Sequence, residues 1–223
     1  MMRNDMEFIE ETIAEVNGSI DLLVQMVREG YAQVRTIVDG RFSKDSEVNK
    51  EVSLLVTELQ FDDLLTQKCD HVKTIQAWIL QEMRSNVAAD VGSEVKRNVF
   101  YLNWLQVEVA FADYVKSDSA IKKVLLSHFG SSINAWETLL LFRYTEVIKN
   151  LFNAIRQKLK DVSISHVRGS YLDLDTKYHL LDKLYSMQSE RQVLQAYIEN
   201  PKFENINYLV SSSDHNPSAI DLF

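Results

Sequence analysis

Asp63 and Gln67 stand four residues apart in the stretch Glu58-Leu59-Gln60-Phe61-Asp62-Asp63-Leu64-Leu65-Thr66-Gln67-Lys68. On a helix that spacing makes a carboxylate and a carboxamide neighbours on one face. A carboxylate takes a cation, while a carboxamide donates and accepts hydrogen bonds at once. Laid on 3.6 residues per turn, the segment divides into two sides. Phe61, Leu65, Lys68 (through its stem), Val72, Ile75 and Ile79 form one stripe at steps of four and three. Asp63, Gln67, Asp70 and Thr74 gather opposite it, with Gln60 and His71 at the margin. Asp62 is turned from Asp63 by about 100° around the axis. Spacing alone describes a solvated face; whether it is a site depends on the rest of the chain.

The elements that must position this face read as long helices. Two prolines and six glycines in 223 residues are too few for the turns of a β architecture. From about residue 5 to 39 the apolar positions Ile9, Ile13, Val16, Ile20, Leu23, Val27, Tyr31, Val34 and Val38 form a sustained seam. Gly40 is a C-terminal stop, and residues 40–45 read as a short turn with Ser43 or Asp45 as the next cap. The second helix spans about 46–86 and carries Asp63 and Gln67 near its middle. Two such helices on a short connection fold back as an antiparallel hairpin over residues 5–86.

A hairpin is too shallow to bury both seams. Additional helices within 93–200, or a second copy of the chain in a dimeric four-helix bundle, must cover it. A helix over 93–116 has Val95, Val99, Leu102, Leu105, Val109 and Ala112 as its seam, and Ser117-Asp118-Ser119 reads as a cap before a short helix to Phe129. Gly130 ends that helix. The next runs to about Lys160 with Trp136, Leu140, Arg143, Val147, Leu151 and Ala154 along its seam. Residues 161–174 read as a loop, and a last helix spans about 175–200 before Pro201. Trp78, Trp104 and Trp136 read as core or interface fillers. The expected fold class is all-α, a long antiparallel helical hairpin extended into a four-helix-bundle-like domain over residues 1–205.

Composition removes several function classes. A formal charge of −8 and a pI of about 5.2 argue against nucleic acid and anionic membrane partners. One cysteine, Cys69, rules out an internal disulfide and a multi-cysteine zinc site. The histidines, at 71, 128, 166, 179 and 215, show no pairing three or four apart. His166-Val167-Arg168-Gly169-Ser170 resembles a His-x-x-Lys-Gly phosphotransfer motif, but its glycine comes one residue early. There is no glycine-rich phosphate loop, no apolar run long enough to span a bilayer, and no signal-peptide core in the first residues. A cytoplasmic protein with no metal or cofactor of its own is expected.

Residues 206–223 differ in character. Ser211-Ser212-Ser213-Asp214-His215-Asn216-Pro217 is polar and aperiodic, a linker composition. It leads to Ser218-Ala219-Ile220-Asp221-Leu222-Phe223, whose apolar tip is that of a tethered peptide that docks in a groove. Docking back on the bundle is the alternative.

Phe61-Asp62-Asp63-Leu64-Leu65-Thr66-Gln67 resembles the Phe-Gln-Asp-Leu-Thr-Gly-Gln pattern of CheZ, the phosphatase of the bacterial chemotaxis response regulator CheY. Phe61, Asp63, Leu64 and Gln67 match, whereas Asp62, Leu65 and Thr66 depart from it. The tail Ile220-Asp221-Leu222-Phe223 is similar in character to the short acidic, apolar peptides that capture CheY in that family and in flagellar switch proteins. Gln60-Phe61-Asp62-Asp63, followed by Gln67 and His71-Val72, also resembles helices of other chemotaxis-associated proteins, as does Tyr185-Ser186-Met187-Gln188-Ser189-Glu190-Arg191. The resemblance covers about a quarter of the chain. It implies a two-component signalling hydrolase acting on the aspartyl phosphate of a CheY-type regulator in flagellar motility, with Mg²⁺ held by that partner. In that reading Gln67 positions the attacking water and Asp63 docks the regulator's active site. Gln60, Asp62, Ile220, Asp221, Leu222 and Phe223 bind the partner. The rival reading is a non-enzymatic helical adaptor that binds a response regulator or receptor through the same helix.

Overall fold

The computed structural model describes residues 2–42, 50–85, 92–129, 139–164, 183 and 185–199. Six helices make up the described chain: α1 (Met2–Phe42), α2 (Lys50–Glu58), α3 (Phe61–Ser85), α4 (Gly92–Phe129), α5 (Leu140–Ile164) and α6 (Gln188–Glu199). The protein is an all-α helical bundle. None of these helices is long and apolar enough to cross a membrane.

Polar contacts between helices reveal the directions. Glu10 bonds Arg84, Asp21 bonds Lys73 and Arg35 bonds Asp62, so α1 and the α2–α3 arm are antiparallel. Lys68 meets Asp113 and Ser117 meets Glu58, which sets α4 antiparallel to that arm. Glu108 with Arg156, and Lys122 with Thr145, reverse α5 on α4. Glu15 with Lys158, and Gln33 with the Leu140 amide, bring α5 back beside α1. The result is an up-down-up-down four-helix bundle closed by α1 and α5, with α6 packed on α4.

The seam of α1 is the one the spacing predicts: from Ile13 to Val38 its members are buried, and Ile9 is half-buried. Phe61, Leu65, Lys68, Val72, Ile75 and Ile79 of α3 are likewise inside. Five expectations are corrected. The helix expected over 46–86 is interrupted at Leu59–Gln60, so Asp63 and Gln67 lie at the start of α3. Ser117 and Asp118 do not cap a new helix; both are buried in an unbroken α4, bonded to Glu58 and Lys122. The seam expected on α5 is displaced by one position, because Leu141, Ile148, Phe152, Ile155, Leu159 and Val162 are the buried residues. Arg143, Val147 and Ala154 face solvent. The helix expected over 175–200 is broken at Tyr185–Met187, and α5 extends to Ile164 rather than ending near Lys160. The tail from residue 200, including Ile220–Phe223, and the histidine motif at 166–170 lie outside the described residues.

Gly30 lies where α1 and α5 approach closely. A Cβ there would lie 3.3 Å from the Leu141 Cα, and a helix backbone yields little. Gly18, on the same helix, has nothing within 4 Å of such an atom. Gly18→Ala should therefore raise stability by about 0.5–1 kcal/mol through helix propensity. Gly30→Val should lower it by about 1–3 kcal/mol through overpacking. Thermal unfolding reads both, at about 2–4 °C per kcal/mol for a domain of this size. A stabilised Gly30→Val would show that the α1–α5 spacing does not depend on the missing side chain.

Candidate functional site

The break before Asp63 is built by side chains from distant parts of the chain. A continuous helix would give the Leu59 carbonyl to the Asp63 amide. Instead the Asp63 amide bonds the Gln60 carbonyl at 3.2 Å, and the Leu64 amide reaches the same oxygen at 3.4 Å. Gln60 thus caps α3. The freed Leu59 carbonyl accepts from Arg35 Nη2, and the Glu58 carbonyl accepts from Ser117 Oγ at 3.2 Å. Ser117 in turn accepts from the buried Tyr31 hydroxyl at 3.2 Å. Backbone acceptors that would otherwise be orphaned at a helix end are satisfied from α1 and α4. Phe61 seals the junction, its ring centroid 6.4 Å from those of Tyr31 and Tyr114.

Arg35 also grips Asp62 through both guanidinium nitrogens, one bond measuring 3.0 Å. Asp62 is 4% exposed and turned inward. Its carboxylate is occupied within the chain and is not presented to a partner. Asp62 and Asp63 both lie in the first turn of α3, where the partial positive charge of the helix end favours carboxylates.

Asp63, Gln67, Asp70 and Thr74 are all exposed on α3, and Gln60 is exposed at its cap. Leu64, 44% exposed, adds an apolar side chain at one edge of this face. The opposite face is fixed in the core, where Lys68 binds Asp113 at 2.7 Å and Leu65 is fully buried. The acid and the carboxamide are therefore held one turn apart on a helix that cannot easily roll. Cys69 is buried, and burial pushes its thiol up to about 12, which leaves it no nucleophile at neutral pH. Among the described residues no group of three His, Cys, Asp or Glu side chains is placed to ligate a metal ion.

Two features escaped the reading of spacing. Arg35 lies beside the α1 seam, and nothing local marks its partner. His71, at the margin of the polar face, has its Nδ1 2.8 and 2.9 Å from the two carboxylate oxygens of Glu190. Glu190 is 1% exposed and accepts the Met187 amide at 3.2 Å, the glutamate half of a capping box at the start of α6. Its backbone carbonyl accepts from Gln106 Nε2 of α4 at 3.0 Å. Segments 119 residues apart thus meet beside the polar face.

Fold and site together define a helical bundle that displays an acid–carboxamide pair on one fixed helix. No protein-family model matches the chain, and neither the curated proteins nor the solved structures contain a significantly similar one.

Proposed function

We propose that this protein is a cytoplasmic phosphatase that stimulates hydrolysis of the aspartyl phosphate on a CheY-type response regulator in chemotaxis. The observation that carries the reading is the placement of Asp63 and Gln67: exposed, one turn apart, and at the anchored start of a helix. An acyl phosphate is intrinsically labile, so its hydrolysis needs a water held in line more than it needs covalent chemistry. A carboxamide is no general base near neutral pH. Gln67 accepts a hydrogen bond from the attacking water through its oxygen and donates to the phosphoryl group through its nitrogen. Asp63, one turn earlier, docks against a lysine or the metal shell of the regulator's active site. Mg²⁺ comes with that partner. Leu64 supplies an apolar contact and Gln60 a polar one at the rim of the docked face.

In this reading Ile220, Asp221, Leu222 and Phe223 tether the regulator, raising its local concentration to the order of millimolar. Release of inorganic phosphate from a phosphorylated CheY-type regulator tests the proposal directly. Removal of residues 218–223 should raise KM with little change in kcat; a fall in kcat would place the tail in the catalytic assembly. A complex that leaves the dephosphorylation rate untouched would identify a binding adaptor instead. A homodimer that covers Asp63 and Gln67 would identify a scaffold.

A further inference from the structure

His71 follows Gln67 by four residues, as Gln67 follows Asp63, so the three side chains form one row along α3. Neighbours in such a row are roughly 5–6 Å apart at Cβ. The row reads acid, carboxamide, imidazole. Glu190 engages Nδ1 of the imidazole with both carboxylate oxygens, which places the proton on Nδ1 and fixes the ring. Nε2 is then the nitrogen left for an incoming group, and the side chain is 23% exposed. A buried carboxylate that orients a partly exposed imidazole within a polar row is more than a packing contact. It prepares a donor.

The other cations of α3 are committed. Lys68 is held by Asp113, Lys73 by Asp21 and Asp70, and Arg84 by Glu10. Arg35 of α1 is held by Asp62 and the Leu59 carbonyl. A dianionic phosphoryl group approaching Asp63 and Gln67 meets an acidic surface, and His71 is where a positive donor remains among these residues. We propose that His71, oriented by Glu190, is an anion-binding residue of the same site, donating from Nε2 to a phosphoryl oxygen while Gln67 holds the water. The assignment rests on the phosphatase reading given above. It also makes α6 part of the site, since α6 supplies the orienting carboxylate.

The hydrogen bond to Glu190 raises the imidazole's pKa, opposed by partial burial and aided by the charges of Glu190 and Asp70. Glu190 of α6 and Asp70 of α3 are the charged groups facing the ring, while Gln106 of α4, bonded to the Glu190 backbone, is neutral. The imidazolium is therefore present below its raised pKa and lost as pH rises through it. Phosphate release by the wild type should fall along that limb. His71→Gln should lower kcat/KM about tenfold at the acidic end, the scale of one charge-assisted hydrogen bond, and should flatten the limb. Glu190→Gln, nearly isosteric, should move the limb to lower pH. A purely structural ion pair would lower the melting temperature in both variants and leave the limb in place.

A second readout separates this proposal from the reading beneath it. The His71 ring signals in ¹⁵N-edited NMR should shift on adding regulator loaded with beryllofluoride and Mg²⁺, and not with unloaded regulator. If the wild type accelerates phosphate release but His71→Gln keeps the limb and the ring signals stay still, the anion-binding role is overturned alone. If the wild type gives no acceleration, the phosphatase reading falls; unmoved ring signals would then overturn the His71 assignment as well.

Discussion

Gln67→Ala should lower kcat for phosphate release from a phosphorylated CheY-type regulator by about 10²-fold or more, with KM little changed. The magnitude is that of removing one preorganised group whose interaction matures in the transition state. The side chain is exposed, so the substitution should leave stability within about 0.5 kcal/mol of the parent. Gln67→Glu is a sharper version. It keeps the length but brings a negative charge against the phosphoryl oxygens and loses the amide donor, so it should be at least as slow. Asp63→Ala should act differently, raising KM more than it lowers kcat, because its proposed contact holds the docked helix in place. A stopped-flow or coupled phosphate assay under single-turnover conditions separates the two. Wild-type rates in Gln67→Ala would remove Gln67 from the mechanism whatever the tail does.

Arg35→Ala should cost about 2–3 kcal/mol of folding stability. Breaking a buried ion pair by removing one partner costs about 3–5 kcal/mol, and solvent screening at the 38% exposed arginine reduces that. Two groups are stranded by the loss: the Asp62 carboxylate, 4% exposed, and the Leu59 carbonyl. Adding Asp62→Asn should return part of the loss, since a neutral amide is less costly to bury than a lone carboxylate. Urea denaturation of the two single variants and the double variant gives the coupling energy directly. Additive effects, with a coupling below about 0.5 kcal/mol, would show that the pair contributes nothing specific. Amide exchange should also quicken first at residues 59–64, where the junction loses its clamp.

Much of the architecture was written in side-chain period. The α1 seam is unambiguous because Val16, Ile20, Leu23, Val27, Tyr31 and Val34 recur at steps of three and four, whereas the exposed Leu22 and Phe8 form no competing stripe. On α5 the same method chose the wrong stripe. Leu140, Val147 and Leu151 make a second apolar side, and only the cluster of Phe152, Ile155, Leu159 and Val162 decides which one packs. The interruption at Leu59–Gln60 leaves one local trace: the buried apolar positions step by four from Leu55 to Leu59 and from Phe61 to Leu65, but by two between Leu59 and Phe61. The groups that hold it open, Arg35 and Ser117, are far away in sequence. Ser117 and Asp118 read as a cap for the complementary reason: their bonding partners lie across the bundle and are invisible to spacing. At the site, the outward face of Asp63 and Gln67 was legible from the period of α3. The inward turn of Asp62 was not, because its angle around the helix leaves it between faces and a cation on α1 decides. His71 and Glu190 were each visible as part of a recurring segment, but their meeting is a property of the fold.

The buried ion pairs of the bundle have a further consequence for its alignment. A seam of Val, Ile and Leu repeats every heptad, so one helix can slide along another by a turn or two and still bury similar surface. Asp62 with Arg35 and Lys68 with Asp113 do not repeat. A slide of α3 by one turn past α1 or α4 would leave Asp62 or Lys68 inside the protein without a counter-charge. These pairs therefore act as keys that admit one vertical register, and with it one height of Asp63, Gln67 and His71 on the surface of the bundle.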